Sequence, residues 1–360
     1  MHRTNYTKRR QMKYSIIVPV YNRPDEVDEL LDSLTRQRFK DFEVIIVEDG
    51  SAVPCKEVCD KYDSRLAIRY FMKSNSGPGQ SRNYGVERAT GDYVLILDSD
   101  VVVPEGYLQA VDEELKREPC EAFGGPDRAA DTFTPTQKAI SYSMTSFFTT
   151  GGIRGGKKKL DKFYPRSFNM GVRRDVYNKL GGFSKMRFGE DIDFSIRIFK
   201  AGCRCRLFPG AWVYHKRRTD FRKFWRQVFN SGIARINLYK KYPESLKLVH
   251  LLPMVFTVGV FFLLAVFIAG PILGHTVLRD YDPPFGGMIS LAALMPLFLY
   301  SLLIFIDSSV QNHSIRIGML SIRAAFTQLM GYGCGFIKAW WQRCVMGKGE
   351  FEAYKKNFYK

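Results

Sequence analysis

Acidic residues are in short supply in this chain. Its 360 residues hold 36 Asp and Glu against 54 Lys and Arg, which leaves a net charge of +18. A surplus of that size fits a nucleic-acid binder or a protein held at an anionic membrane surface, and the position of the charge decides between them. Histidine is also scarce, at five residues. Cysteine is present at Cys55, Cys59, Cys120, Cys203, Cys205, Cys334 and Cys344, but no four of these have zinc-site spacing. Reduced thiols in a cytosolic compartment are expected, with Cys203 and Cys205 on one strand. The opening MHRTNYTKRRQMKYS is basic and lacks the apolar core of a signal peptide, and the run Tyr14 to Val20 is too short to supply one. No GxxxxGK[ST] loop occurs, which disfavours a nucleoside triphosphatase. There are no internal repeats and no low-complexity tail.

Long apolar runs, by contrast, are present twice. Leu248 to Leu273 carries no charged residue, and neither does Ile289 to Ile306. Each run is long enough to cross about 30 Å of hydrocarbon as a helix. Lys216 to Lys247 holds ten Lys or Arg, Lys338 to Lys360 holds six, and the connection GHTVLRDYDPPFGGM holds Arg279 alone. The positive-inside rule puts both basic flanks in the cytoplasm. A multi-pass protein of the inner membrane with a cytoplasmic catalytic domain is therefore expected, in contact with membrane lipids. Charge concentrated beside the bilayer argues against a nucleic-acid partner, which needs a basic patch on the soluble fold. The stretch Leu320 to Trp341 is apolar but contains Arg323, Lys338 and three glycines, and an interfacial or membrane-embedded helix pair is expected there.

The N-terminal part alternates strand and helix patterns. KYSIIVPV (13–20), FEVIIV (42–47), Ile68 to Phe71 and Asp92 to Leu97 read as strands, separated by helical spacing at Asp25–Gln37, Val53–Tyr62 and Gln80–Ala89. The pattern predicts an open α/β sheet with helices on both faces, whose functional loops lie at the carboxyl ends of the strands. The tails YNR, EDGS and DSD all sit at such ends. Further on, Phe123–Pro126, Ser167–Val172, Cys203–Phe208 and Ala211–Tyr214 read as short strands. Phe147–Lys159 reads as a glycine-rich loop.

The candidate chemistry is carboxylate-based. Asp98 and Asp100 follow an apolar strand, two residues apart, and in the turn beyond it they can converge on one cation. Hard oxygen ligands suit Mg²⁺ or Mn²⁺. Two unpaired carboxylates at a strand end cost stability without a ligand, whereas a solvated turn is the plainer alternative. Asp49, beside Gly50 and Ser51, is placed to accept from a nucleobase N–H, or serves a turn. Arg82 faces a pyrophosphate or pairs with a surface acid. Glu190 and Asp191 open a helix, as caps or with a general base among them. His215 ends a strand, as a third metal ligand, a phosphate contact or a surface residue.

These pieces together resemble a family 2 glycosyltransferase with the GT-A fold. The matching stretches are IIVPVYNR (16–23), VIIVEDGS (44–51), GPGQSRNYGVERATGDYVLILDSD (77–100), GGFSKMRFGEDIDFSIRIFKAG (181–202) and Tyr214-His215. The resemblance implies a Rossmann-like mixed sheet and a nucleotide diphosphate sugar as donor. It implies that Pro19, Tyr21 and Arg23 line the nucleotide pocket, with Asp49 on the base and Arg82 toward the phosphates. Asp98 then belongs to the nucleotide–sugar side, Asp100 is the chief carboxylate on Mg²⁺ or Mn²⁺, and His215 joins the metal or diphosphate site. Asp191 matches the inverting base, and Glu190 the neighbour that shapes acceptor binding. The QxxRW pentad of the processive synthases is absent. This implies single-sugar transfer, with a UDP-sugar expected, to a lipid-linked or membrane-associated glycan acceptor in bacterial cell-surface polysaccharide assembly. A membrane phosphoryl or nucleotidyl transferase and a non-catalytic scaffold are the alternatives.

The expected layout is a basic tail (1–12), a catalytic domain (13–220), basic amphipathic juxtamembrane helices (221–247), transmembrane helices at 248–273 and 286–306, and interfacial or re-entrant helices with a basic cytoplasmic tail (315–360).

Overall fold

The computed structural model describes residues 12–128, 132–150, 163–186, 188–216, 218–276 and 284–349. The N-terminal tail, most of the glycine-rich loop and the last eleven residues of the basic tail lie outside the described residues. The strands are β1 Tyr14–Val20, β2 Phe42–Asp49, β3 Ile68–Lys73, β4 Tyr93–Leu97, β5 Val101–Val102, β6 Ala122–Gly124, β7 Asp127–Arg128, β8 Asn169–Arg173, β9 Cys205–Leu207 and β10 Val213–His215. The α-helices are α1 Pro24–Thr35, α2 Lys56–Asp60, α3 Pro78–Val86, α4 Tyr107–Arg117, α5 Pro135–Thr145, α6 Phe147–Thr150, α7 Arg174–Lys179, α8 Glu190–Lys200, α9 Phe221–Lys241, α10 Leu252–Thr276, α11 Pro284–Asn312 and α12 Ile315–Trp340.

The chain divides into two compact units. One comprises the described residues of 1–130 and 160–216, and the other those of 131–159 and 217–350. The first is built on a seven-stranded sheet of order β3-β2-β1-β4-β8-β6-β9. Strands β1 to β4 pair in parallel, while β8 is antiparallel to both β4 and β6. The sheet is therefore mixed, as expected of the fold class. Its central strands are apolar on both faces. Ile16, Val18, Val44, Ile46, Leu95 and Leu97 point into one core, and Ile17, Ile45, Val47, Val94 and Ile96 into the other. That explains near-continuous apolar runs where an exposed sheet would alternate.

The strand order reverses at β1, which has β2 on one side and β4 on the other. Such a reversal opens a crevice at the carboxyl ends of the strands. The segments after β1, β2 and β4 meet there. A second, three-stranded sheet of order β5-β10-β7 adjoins it in sequence: β10 runs antiparallel to β5, with His215 opposite Val101. Cys205 lies in β9, but Cys203 precedes that strand, because Gly202 with φ +73° turns the chain out of α8 first.

The second unit is helical. Two of its segments, Leu248–Gly270 and Gly287–Asn312, form helices long and apolar enough to cross a membrane, with mean hydropathies of 2.7 and 2.4. Phe261, Phe262, Ile268, Leu291 and Phe298 are all exposed on them. Helices α9 and α12 run parallel, as the pairs Phe221 with Arg323 and Asn237 with Arg343 show. They approach closely at Gly232, where a Cβ would lie 2.2 Å from the Tyr332 carbonyl oxygen. The helix pair expected at 320–341 is instead one continuous helix, α12. Its glycines do not break it, because they line the packing faces: Gly335 faces α9 and Gly333 faces α10. Helices α5 and α6 fall in this unit as well, although the layout above assigned their residues to the catalytic domain. Ala139, Ile140 and Met144 share an apolar cluster with Phe224, Val228, Ile317 and Ala324.

Candidate active site

Three segments of the first unit build the site. β4 delivers Asp98 at its carboxyl end, and a two-residue step to β5 places Asp100 just before that strand. The pairing of β5 with β10 carries His215 back across the sequence to Asp100. The backbone N–H of Lys216 donates to the Asp100 carbonyl at 3.0 Å, and His215 Nε2 lies 3.2 Å from Asp100 Oδ1. One potential ligand atom from each of Asp98, Asp100 and His215 falls within 4.8 Å of the others. The imidazole stacks on Phe168, with ring centroids 4.7 Å apart, which fixes its plane. The two carboxylate oxygens are hard donors that suit Mg²⁺ or Mn²⁺, and the imidazole nitrogen is a borderline donor beside them.

Arg82 is the hub of the second half. It lies on α3, is 3 % exposed, and packs over the Phe183 ring. Its Nη2 donates to Asp98 Oδ1 at 2.7 Å and its Nη1 to Glu190 Oε1 at 3.1 Å. Burial works against its charge, but Asp98 and Glu190 outweigh burial and hold its pKa above the ordinary value. One guanidinium thus ties the end of β4 to the start of α8.

Gly189 starts α8 in the left-handed region, with φ +83°. A side chain there would be strained, so the glycine allows the turn that presents Glu190 and Asp191 together. Burial pushes the Glu190 carboxyl up to about 7; Arg82 opposes the shift and Asp191 adds to it. Asp191 is more open, at 16 % side-chain exposure. Its Oδ1 accepts from the Ile192 N–H at 2.8 Å, and Arg166 Nη1 lies 3.4 Å from its Oδ2. The carboxylate is held at a helix N-terminus with one edge available.

Asp49 takes the turn role that stood beside nucleobase binding among its sequence expectations. It is buried at the end of β2, and it accepts from the Ser76 N–H at 2.9 Å, the Gly77 N–H at 2.8 Å and the Lys73 ammonium. It therefore organises the loop into α3, and a base reaching it would share the carboxylate with that loop. A cleft of about 420 Å³ opens beside this loop, lined by Ser76, Gly79, Gln80, Ser184, Lys185 and Met186. Its position at the N-terminus of α3, with a lysine on its wall, suits an anionic group.

Pro19 and Tyr21 lie at the end of β1, on the crevice side of the strand order. Arg23 is bound to Glu26 within the first turn of α1 at 2.5 and 2.6 Å.

Several residues the sequence reading passed over hold this site together. Asn22, at φ +54°, accepts on Oδ1 from the Ala52 and Val53 N–H groups, and its own N–H donates to Ser51 Oγ. Ser51 in turn donates to Glu48, whose other oxygen accepts from the Cys55 N–H at 2.8 Å. This network locks the loop after β1 to the loop after β2. Phe168 and Arg166 were also missed. They stand one and three residues before β8, and no local pattern distinguishes them. Asn22 carried a usable signal, since Asn is the residue that most readily tolerates a positive φ after glycine.

Residues 15–181 match the model of the family described as Glycosyl transferase family 2. Among curated proteins, the chain is 28% identical over 212 residues to the uncharacterized glycosyltransferase EpsJ of Bacillus subtilis (strain 168), covering 56% of this chain and 60% of that protein. It is 28% identical over 268 residues to the glycosyltransferase GlyG of Streptococcus pneumoniae serotype 4, covering 65% of this chain and 88% of that one. With an uncharacterized glycosyltransferase of Rickettsia felis the identity is 42% over 104 residues, 29% of this chain and 17% of that protein. The chain thus spans less than two thirds of several of the curated relatives it matches. Among solved structures, a mannosyltransferase from Pyrobaculum calidifontis in complex with GDP-Man and Mn²⁺ superposes with a TM-score of 0.54 at 16% identity, over 93% of this chain and 89% of that one. At that identity the likeness establishes the fold. Family match, relatives and mixed sheet agree: residues 15–181 form a Glycosyl transferase family 2 domain on a mixed α/β sheet of the GT-A type.

Proposed function

We propose that this enzyme transfers one sugar from a nucleotide diphosphate sugar, with UDP as the carrier, to a hydroxyl of a lipid-linked or membrane-associated glycan. Transfer inverts the anomeric carbon and takes place at the cytoplasmic face of a bacterial inner membrane, in cell-surface polysaccharide assembly. The observation that carries this reading is the buried Arg82 bridge. It joins the carboxylate turn at Asp98 to the helix start that bears Asp191.

The residues suit a divalent cation in number as well as type. Asp98, Asp100, Glu190 and Asp191 bring four carboxylates around Arg82 and Arg166. Above about pH 7, where Glu190 is ionised as well, two negative charges remain, which one Mg²⁺ or Mn²⁺ would offset. Asp100, Asp98 and His215 would hold it, and it would supply positive charge for the diphosphate of the donor. Arg82, fixed by its two carboxylates, offers a preorganised charge toward the leaving diphosphate. Asp191 takes the proton of the acceptor hydroxyl as that oxygen attacks. Arg166 holds Asp191 in place, and Glu190 shapes the acceptor side. Pro19, Tyr21, Arg23 and Asp49 border the nucleotide. No covalent enzyme intermediate is required.

The membrane assignment is supported by the exposed apolar side chains of α10 and α11 and by the basic residues flanking them. The described residues of 13–128 and 163–216 serve as the catalytic domain, and α9 to α12 as the membrane-associated part.

The test is a donor screen on the purified full chain, with UDP- and GDP-sugars, Mn²⁺ and membrane extracts as acceptor source. The readout is released nucleoside diphosphate together with the mass of the lipid product. Sugar addition without added phosphate supports the proposal. A product that gains phosphate from the nucleotide indicates phosphoryl or nucleotidyl transfer instead.

A further inference from the structure

The helical unit carries a groove that the catalytic chemistry does not use. Met319, Ile322, Phe326 and Met330 form one stripe along α12, at helical spacing, and Trp225 of α9 faces them. The cavity measures about 460 Å³, within the size range of small-ligand sites. Its walls are apolar except for Arg323 and Thr327. Arg323 is exposed, its guanidinium lies 4.6 Å from the Phe221 ring centroid, and it has no carboxylate partner among the described residues. Trp225 is 37 % exposed.

We infer that this groove holds the lipid end of the acceptor, with the chain along the Met319–Met330 stripe and its phosphate on Arg323. The inference rests on the membrane-held acceptor proposed above and names the chemistry that recognises it. An apolar trough in water is unfavourable unless something covers it, and the unit that carries this one also has two helices apolar enough for a bilayer. Methionines and aromatic rings accommodate a flexible chain without demanding one shape. The cation selects what the chain must carry. Arginine binds phosphate through a planar fork, and a guanidinium already seated on an aromatic ring loses little freedom in doing so. The basic residues of α9 outside the groove, such as Arg222, Lys223 and Arg226, suit general adhesion to an anionic bilayer, whereas Arg323 is the one cation in the groove's own lining and suits the phosphate of a single amphiphile.

The experiment uses the full chain in phosphatidylcholine nanodiscs, titrated with farnesyl phosphate and with farnesol. The readout is the fluorescence contributed by Trp225, taken as the difference between the native protein and W225F. Farnesyl phosphate should give a saturable change. Arg323→Gln should weaken it about tenfold, Arg323→Lys should restore much of the loss, and farnesol should be indifferent to both. Equal affinity in Arg323→Gln and the native protein would overturn the inference. So would equal binding of alcohol and phosphate, or displacement of farnesyl phosphate by phosphatidylglycerol. The titration needs neither donor nor turnover, so its failure is distinguishable from failure of the transferase reading.

Discussion

Replacing Arg82 with methionine removes the one positive charge between Asp98 and Glu190 while keeping the apolar contact with Phe183. The two carboxylates respond differently. Asp98 has 30 % side-chain exposure and can recover part of its solvation from water, so losing its 2.7 Å bond costs about 1–2 kcal/mol. Glu190 is buried and has no such recourse. Its carboxyl is already pushed up to about 7 by burial, with Arg82 opposing, so removing Arg82 raises it further. The unfolded chain ionises near the ordinary carboxylate value. A raised folded pKa therefore lowers stability as pH climbs from that value to the folded one. Native protein and variant share this loss up to about pH 7, because Glu190 is largely protonated in both. Above it, Glu190 ionises in the native protein but not in the variant, and the gap widens. Breaking a buried pair outright costs about 3–5 kcal/mol. We expect about 1–2 kcal/mol of destabilisation at pH 6 and about 2–3 kcal/mol at pH 8, since ionisation of one group over that interval adds about 1.4 kcal/mol. The second figure corresponds to roughly 4–12 °C in the unfolding midpoint of a domain this size. Scanning fluorimetry of the purified chain at both pH values measures the difference. Equal destabilisation at pH 6 and pH 8 would refute the pairing of Arg82 with Glu190 as the titrating element.

Other substitutions probe separate parts of the molecule. Asp191→Asn should lower sugar transfer about 10²–10⁴-fold while leaving the donor KM nearly unchanged, read from initial rates of nucleoside diphosphate release. Chelation should abolish transfer, and Mn²⁺ or Mg²⁺ should restore it. Asp100→Asn should raise the cation concentration for half-maximal rate by at least the roughly 10–100-fold seen when an outer partner of a metal ligand is lost. A rate indifferent to chelator would remove the cation from the reaction. Glu43 is buried, which alone would raise its pKa, but bonds from Thr90, Ser15 and Arg69 outweigh burial and hold it below the usual range. Its stabilisation is present above the ordinary carboxylate value and disappears as pH falls through the depressed one. Glu43→Gln should cost about 1–3 kcal/mol at pH 7 and converge with the native protein in acid, as denaturant titrations across pH would reveal.

The paired aspartates after β4 show what local sequence can and cannot say. GDYVLILDSD announces a buried strand ending in charge, and that strand is β4 as expected. Hydrophobic periodicity likewise located β1, β2, α1, α8, α9 and both long apolar helices, because apolar side chains repeat at the spacing their own backbone imposes. Segment 131–146 holds no such pattern. Helix α5 packs Ala139, Ile140 and Met144 against other helices, and its local signal is the Thr134–Gln137 capping box at its start. The expected break in α12 failed for a related reason. Glycine weakens an isolated helix, but at Gly333 and Gly335 it permits contact with neighbours that no local rule can see.

By itself, the sequence determined the fold class, the apolar helices and the residue types at strand ends, since each depends on interactions within a few residues along the chain. Only the tertiary structure decided which of those residues meet. His215 reaches Asp100 through the pairing of β10 with β5, and Arg82 reaches Glu190 across 108 positions. It also turned Asp49 toward a loop and Arg23 toward its own helix. Such meetings depend on strand order and on the competition of each charge for the nearest buried partner, and neither leaves a periodic trace in the chain.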